Sequence, residues 1–155
     1  MDMEAVINGR EVRFNPDSGE IFMQYRNTGE WRIKKLSRSH EYFRITIGSK
    51  MYKLHRIIYK FYNPNWNIED GSTNNSIDHK NGDTNDNQIT NLRNVNHQQN
   101  HFNQTRSKGY CWRKDVKKWR AKIQLNGKSI HLGYFVLEED ARNAYLEAKK
   151  IYHII

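Results

Sequence analysis

Residues 63 to 105 are polar and rich in asparagine, with scattered apolar anchors at Ile68, Ile77, Ile89, Leu92, Val95 and Phe102. No other stretch constrains the fold as much. A segment this poor in apolar residues cannot supply a long core strand or a long amphipathic helix, so it divides the chain rather than extending one layered core. Left to itself it would be a linker. The anchors argue otherwise. Ile77 and Leu92 to Val95 predict two short strands, and His97 to Thr105 a short helix after them. Hydrophobic residues make up 36% of the chain, below the usual globular share, which predicts small cores under short sheets rather than one large core.

The flanking parts read more easily. Val12-Arg13-Phe14 and Ile21-Phe22-Met23 bracket the turn-forming run Asn15-Pro16-Asp17-Ser18-Gly19-Glu20, and Tyr42 to Ile47 is a β-branched and aromatic strand closed by Gly48. The period then changes. Leu54, Ile57, Ile58 and Phe61 follow helical spacing, and Pro64 ends that helix. Beyond the polar stretch, Gly109 to Arg113 reads as a strand and Trp119 to Leu125 alternates cleanly. Asn126-Gly127 is a hairpin signal, and Ser129 to Phe135 returns as a third strand. Glu138-Glu139-Asp140 puts acidic residues in the first turn of a helix, with Ala141, Ala144, Tyr145, Ala148 and Ile151 as its apolar stripe. The expected class is α+β, in three parts: a β-rich segment over residues 1–50, a central unit over 51–105, and a three-stranded antiparallel sheet packed on one helix over 107–155.

Lys and Arg total 26 against 17 Asp and Glu, a net charge of +9. That balance is the electrostatic footprint of a nucleic-acid binder. The single Cys111 excludes a disulfide framework and a multi-cysteine zinc site, and it fits a reducing cytoplasm. The opening Met1-Asp2-Met3-Glu4 has neither the basic nor the apolar region of a secretory signal, and no run approaches the roughly 18 apolar residues of a membrane span. The expectation is a cytoplasmic protein of a bacterial or phage-infected cell, neither secreted nor membrane-bound.

Chemistry concentrates in the polar stretch. Asp78 and His79 are adjacent, Asn91 follows after eleven residues, and Asn100 after eight more. Hydrolysis of a phosphodiester needs an activated water, neutralised phosphate charge and a stabilised leaving oxygen. A neutral imidazole can take the proton from water at physiological pH, provided another group aims the ring. A carboxylate with an amide oxygen suits a hard, magnesium-like ion, which can act as Lewis acid and template.

On His55-Arg56-Ile57-Ile58 with Phe61 and Asn63, Asp78-His79-Lys80-Asn81-Gly82-Asp83, Asn85, Asn87, Asn91-Leu92-Arg93 and Gln99-Asn100, the stretch from Tyr52 to Thr105 resembles the HNH (His-Me finger) endonucleases. Within them it is most similar to the phage and intron homing type. The resemblance implies a ββα-metal unit in which His79 is the general base, Asn91 orients its ring, and Asp78 with Asn100 ligates one divalent metal, Mg²⁺ or alternatively Mn²⁺. Many members carry a histidine ligand at the last position, so His97 and His101 stand as alternatives to Asn100. His55, on a helix among apolar neighbours, reads as packing; Asn85 and Asn87 read as shapers of the loop.

Residues Ser107 to Tyr152 resemble the DNA-binding domain of plant ethylene-response (Apetala-type) factors. The likeness is carried by Lys108-Gly109, Lys118-Trp119-Arg120-Ala121-Lys122-Ile123 and Leu132-Gly133-Tyr134-Phe135. It implies a sheet laid in the major groove with its helix behind. Alternation independently turns Trp119, Ala121, Ile123 and Leu125 toward the helix and Arg120, Lys122 and Gln124 outward, a face suited to phosphates and base edges. Lys108, Arg113 and His131 are expected to join it. Cys111 and Gln124 replace arginines of the plant pattern, so base preference does not carry over.

The resulting expectation is a metal-dependent, site-preferring endonuclease on double-stranded DNA, a homing-type nickase acting as a monomer. The alternative is a non-catalytic, sequence-preferring DNA-binding regulator.

Overall fold

A computed structural model describes residues 1–103 and 108–154. The chain forms two compact units, Met1–Asn94 and Val95–Ile155. Both are built from small antiparallel sheets with helices, the expected α+β class. The expected helix end at Thr105, and the junction at 105–107, lie outside the described residues. Among the described residues no helix is long and apolar enough to cross a membrane.

The first unit opens with a four-stranded meander of β1 (Met3–Ile7), β2 (Arg10–Phe14), β3 (Ile21–Gln24) and β4 (Trp31–Ile33). Asn8 and Gly9 join β1 to β2 with φ of 49° and 65°, the left-handed pair that a two-residue hairpin turn requires. In the next turn Asn15 Oδ1 accepts the backbone N–H groups of Asp17 and Ser18, both at 2.9 Å. A three-stranded sheet follows, β5 (Ser37–Ser39), β6 (Tyr42–Ile47) and β7 (Lys50–Lys53), and runs directly into α1 (Leu54–Tyr62). The strands β8 (Ser76–His79) and β9 (Leu92–Val95) pair as a two-stranded sheet.

The expectation of separate small cores does not hold in this unit. One continuous core joins Ile7, Val12 and Phe14 of the first sheet to Ile45, Ile47 and Tyr52 of the second, and to Ile77 and Leu92 of β8 and β9. Helix α1 is the shared wall. It buries Leu54, Ile57, Ile58 and Phe61 along one stripe and packs on β1, β6, β7 and β8. The low apolar share of the sequence reflects polar loops and outer sheet faces, not an absence of core.

Nor is the polar segment after α1 a linker. The Arg56 guanidinium donates to the carbonyls of Ile68 (2.8 Å), Asp70 (2.9 Å) and Asn75 (3.0 Å) and lies over the Trp66 ring. One planar cation thus gathers backbone acceptors that no regular structure satisfies. Glu69 closes the same segment onto β7, accepting from Tyr52 Oη at 2.5 Å and pairing with Lys50.

In the second unit α2 (His97–Phe102) begins with a capping box: Asn96 Oδ1 accepts from Gln99 N and Gln99 Oε1 from Asn96 N, at 2.9 and 3.0 Å. Strands β10 (Tyr110–Arg113), β11 (Lys118–Leu125) and β12 (Lys128–Phe135) form the sheet in that order, and α3 (Glu138–Tyr152) packs on it. Ala141, Ala121 and Ile123 are buried where helix meets sheet. The expected stripe fails at its end, because Ile151 is 64% exposed. His153 makes the last contact instead, its Nε2 donating to the Gln124 carbonyl at 2.9 Å while its ring stacks on Phe102. Gly109 has φ of +66°, and a Cβ there would collide with the Tyr145 ring, so both backbone and packing demand glycine.

Candidate active site

Strand β8 ends on Asp78 and His79, and β9 begins just after Asn91, which closes a single 3₁₀ turn over Ile89–Asn91. The Lys80 N–H donates to the Asn91 carbonyl at 2.8 Å, so the chain leaving one strand is tied to the chain entering the other. Between them runs a loop whose polar groups satisfy one another. Asn91 Oδ1 accepts from Asn81 N (3.1 Å), and its Nδ2 donates to Asn81 Oδ1 (2.9 Å) and the Asp86 carbonyl (2.8 Å). Asp83 Oδ1 accepts from the N–H and side-chain amide of Asn85, and these bonds hold the Asp83 carboxyl below its usual range. Thr84 Oγ1 donates to the Glu41 carbonyl at 2.6 Å, fastening the loop to the turn between β5 and β6.

His79 is buried beside this loop, only 4% exposed. Its Nε2 meets Asn87 Oδ1 at 3.0 Å. An amide oxygen only accepts, so this contact selects the tautomer protonated at Nε2 and puts the ring's lone pair on Nδ1. Asn87 therefore presents an amide oxygen to the ring, while Asn91 holds the neighbouring backbone at Asn81 and Asp86. The sequence offered no way to separate Asn87 from Asn85, since both are loop asparagines of equal standing.

Asp78 Oδ2 accepts from Arg93 Nε (3.0 Å) and Nη2 (2.9 Å), a partly buried ion pair linking β8 to β9. Arg93 lay inside the motif but carried no assigned role. Among the described residues no group of three or more His, Cys, Asp and Glu side chains is arranged to hold a metal. A carboxylate with an amide oxygen is a different donor set, and its chemistry fits a hard divalent ion that keeps several waters. Asp78, His79 and Asn91 all belong to the first unit, at the ends of β8 and of the loop that leads into β9. Asn100, His97 and His101 lie on α2 in the second, where the two histidine rings meet edge to face at 4.5 Å.

Aromatic rings enclose the other side of His79. His55, from the first turn of α1, meets it edge to face with centroids 4.9 Å apart, and the Tyr42 ring is 5.2 Å from His55 and 6.3 Å from His79. Lys53 Nζ sits over the Tyr42 ring at 4.2 Å. Burial raises the Tyr42 hydroxyl above its usual range, helped by the charges of Glu41 and Asp78. Burial, and then the charges of His79, Lys53 and Arg56, push the His55 pKa down to about 3. The unfolded chain therefore takes up a proton at His55 that the folded chain refuses. Stability should fall as pH drops from about 6.5 toward 3, by up to about 1.4 kcal/mol per pH unit. Urea unfolding at pH 7 and pH 5 checks this: the loss should shrink in His55→Phe.

The outer face of the second unit's sheet carries Arg120, Lys122 and Gln124 in a row. Lys122 is paired with His131 and Arg120 with Tyr134. The register steps between Ala121 and Lys122, leaving Leu132 as the extra residue of a bulge beside Gly133 at φ 140°. Without that bulge, strict alternation would turn His131 and Tyr134 to opposite faces. With it, the two rings lie 4.8 Å apart. Arg113 is held by Asp115 through two hydrogen bonds of 2.9 and 2.7 Å. Lys108 is exposed, and Arg120 Nε is enclosed with no hydrogen-bond partner among the described residues.

Comparison with curated proteins found no match, and comparison with solved structures found none. The segment holding β8, the loop, β9 and α2 gave a different outcome: residues 52–102, about a third of the chain, match the model of the HNH endonuclease family, which supports a nuclease.

Proposed function

We propose that this protein is a divalent-metal-dependent endonuclease that cuts double-stranded DNA at a preferred site, a homing-type nickase acting as a monomer in the cytoplasm. The observation that carries the reading is His79. Within the segment similar to HNH endonucleases, a buried imidazole follows Asp78 in the chain at the end of β8 and is held by an amide oxygen.

In this reading His79 takes a proton from water, whose oxygen attacks the phosphorus. The P–O3′ bond breaks, giving 3′-hydroxyl and 5′-phosphate ends. Asn91 keeps the ring aimed through the loop, bracing Asn81 and Asp86 while Asn87 meets Nε2. Asp78 and Asn100 would hold the ion, with Arg93 setting the carboxylate's orientation. When bound, Mg²⁺ or Mn²⁺ supplies charge neutralisation at the phosphate and at the leaving oxygen. Residues 1–50 form the β-rich entry to the nuclease region, residues 51–105 the nuclease region itself, and residues 107–155 an Apetala-type DNA-binding domain. On that domain Lys108, Arg113, Arg120, Lys122, Gln124 and His131 meet the duplex.

Supercoiled plasmid with Mg²⁺ tests the proposal. Open-circular product that vanishes with chelator is the expected result. Linear product would replace nicking by a double-strand cut. Unchanged plasmid in the presence of retained DNA binding would overturn the enzyme in favour of a regulator.

A further inference from the structure

In an antiparallel ladder, residues that stand opposite each other share one side of the sheet, and like charges in such a pair cost stability. Arg44 of β6 stands directly opposite Lys53 of β7. The next pair, Ile45 and Tyr52, turns into the core, so the two cations lie on the outer face with Tyr42 and Met51. Two threonines would keep this ladder without the repulsion.

No carboxylate neutralises the pair among the described residues. The Lys53 ammonium lies over the Tyr42 ring at 4.2 Å and makes no hydrogen bond there. Arg44 Nη1 donates to the Met51 thioether at 3.8 Å, a weak acceptor, and Arg44 Nε is enclosed without a hydrogen-bond partner. Elsewhere in the first unit Arg13, Arg32, Lys50 and Arg93 pair with Glu4, Glu30, Glu69 and Asp78. Desolvation, then the charges of Arg44 and Arg56, lower the Lys53 pKa below its usual range, and no acidic group offsets them. A repulsive pair kept in a regular ladder breaks a local rule, as residues do where function demands it.

Place decides what the pair can hold. The Tyr42 ring that Lys53 covers is also 5.2 Å from the ring of His55 and 6.3 Å from that of His79. Met51, which Arg44 meets, pairs with Thr46, on the other side of Arg44 from Tyr42. Lys53 therefore leans toward the buried imidazole and Arg44 away from it, so that the two charges are spread along the strands.

We propose that the outer face of β6 and β7 is a track for the DNA backbone leading away from the nuclease site, with Lys53 and Arg44 each holding a phosphate of the bound duplex. A phosphate brings the negative charge and the acceptor oxygens that both side chains lack. The track rests on the nuclease site proposed at His79, but DNA affinity and its salt dependence read it apart from cleavage.

The test compares Arg44→Gln, Lys53→Gln, their double variant and the charge-keeping double variant Arg44→Lys with Lys53→Arg, all in the full-length protein. Each glutamine should weaken DNA binding about three- to tenfold at moderate salt. Each should also flatten the slope of log affinity against log salt by about 1, and the two together by about 2. The charge-keeping variant should hold the wild-type slope. The thermal midpoint of the double glutamine variant should equal or exceed that of the wild type, because a repulsion is gone. The DNA concentration for half-maximal nicking of supercoiled plasmid with Mg²⁺ should rise in step with Kd. Wild-type affinity and slope in the double glutamine variant overturn the proposal, as does an equal loss in the charge-keeping variant. Weaker binding with a lowered midpoint and an unchanged slope marks damage to the sheet and overturns it too. If the wild type binds DNA but does not nick, the nuclease reading fails, and the salt slope alone decides the track.

Discussion

His79→Ala is expected to lose plasmid nicking by between about 10² and 10⁴-fold while binding DNA as tightly as the wild type. The two effects separate because of where the residue sits. The ring is buried at the end of β8, against Asn87 and His55, and presents almost no surface to a duplex. On the proposed reading its loss removes a proton acceptor rather than a phosphate contact. Single-turnover nicking and filter binding on the same preparations check the split. Wild-type nicking by the alanine variant would remove His79 from the mechanism, and a matching loss of affinity would make it a binding residue.

The second large effect is expected from Arg120→Ala combined with Lys122→Ala. Both lie on the outer face of β11, paired across to Tyr134 and His131. If each neutralises a phosphate, the double variant should bind DNA roughly 10- to 100-fold more weakly at moderate salt. The slope of log affinity against log salt should flatten by about 2. Arg113→Ala should matter less, because its guanidinium already has Asp115 as a partner and must leave it to reach DNA. Affinity measured from about 50 to 200 mM salt is the check. An unchanged slope in the double variant would take this face away from the DNA.

Much of the local structure was legible because local rules decide it. The Asn126-Gly127 hairpin, the alternation of Trp119 to Leu125 and the helix ending before Pro64 each depend on residues a few positions apart. The hairpin at Asn8-Gly9 had the same signal, and β1 could have been found from it. The short strands β4, β5 and β7 carry too few residues for any period to emerge. The single core of the first unit was not legible either. Nothing local in Ile7, Ile47 or Leu92 says that all three pack in one cluster with α1 as the shared wall.

The site divides the same way. By itself the sequence determined which chemistries are present: a carboxylate beside an imidazole, amides at fixed intervals, and cations alternating on one strand. Spacing along the chain fixes those. Only the tertiary structure decided which amide meets the imidazole, because Asn85, Asn87 and Asn91 are chemically equivalent until a folded loop commits Asn91 to Asn81 and Asp86. It also decided that Arg93 pairs with Asp78, that His55 and Tyr42 wall in His79, and that a bulge at Leu132 turns His131 to the face of Lys122. These are contacts between segments far apart in sequence, or departures from a regular period. Their energies come from burial and packing, which no local pattern encodes.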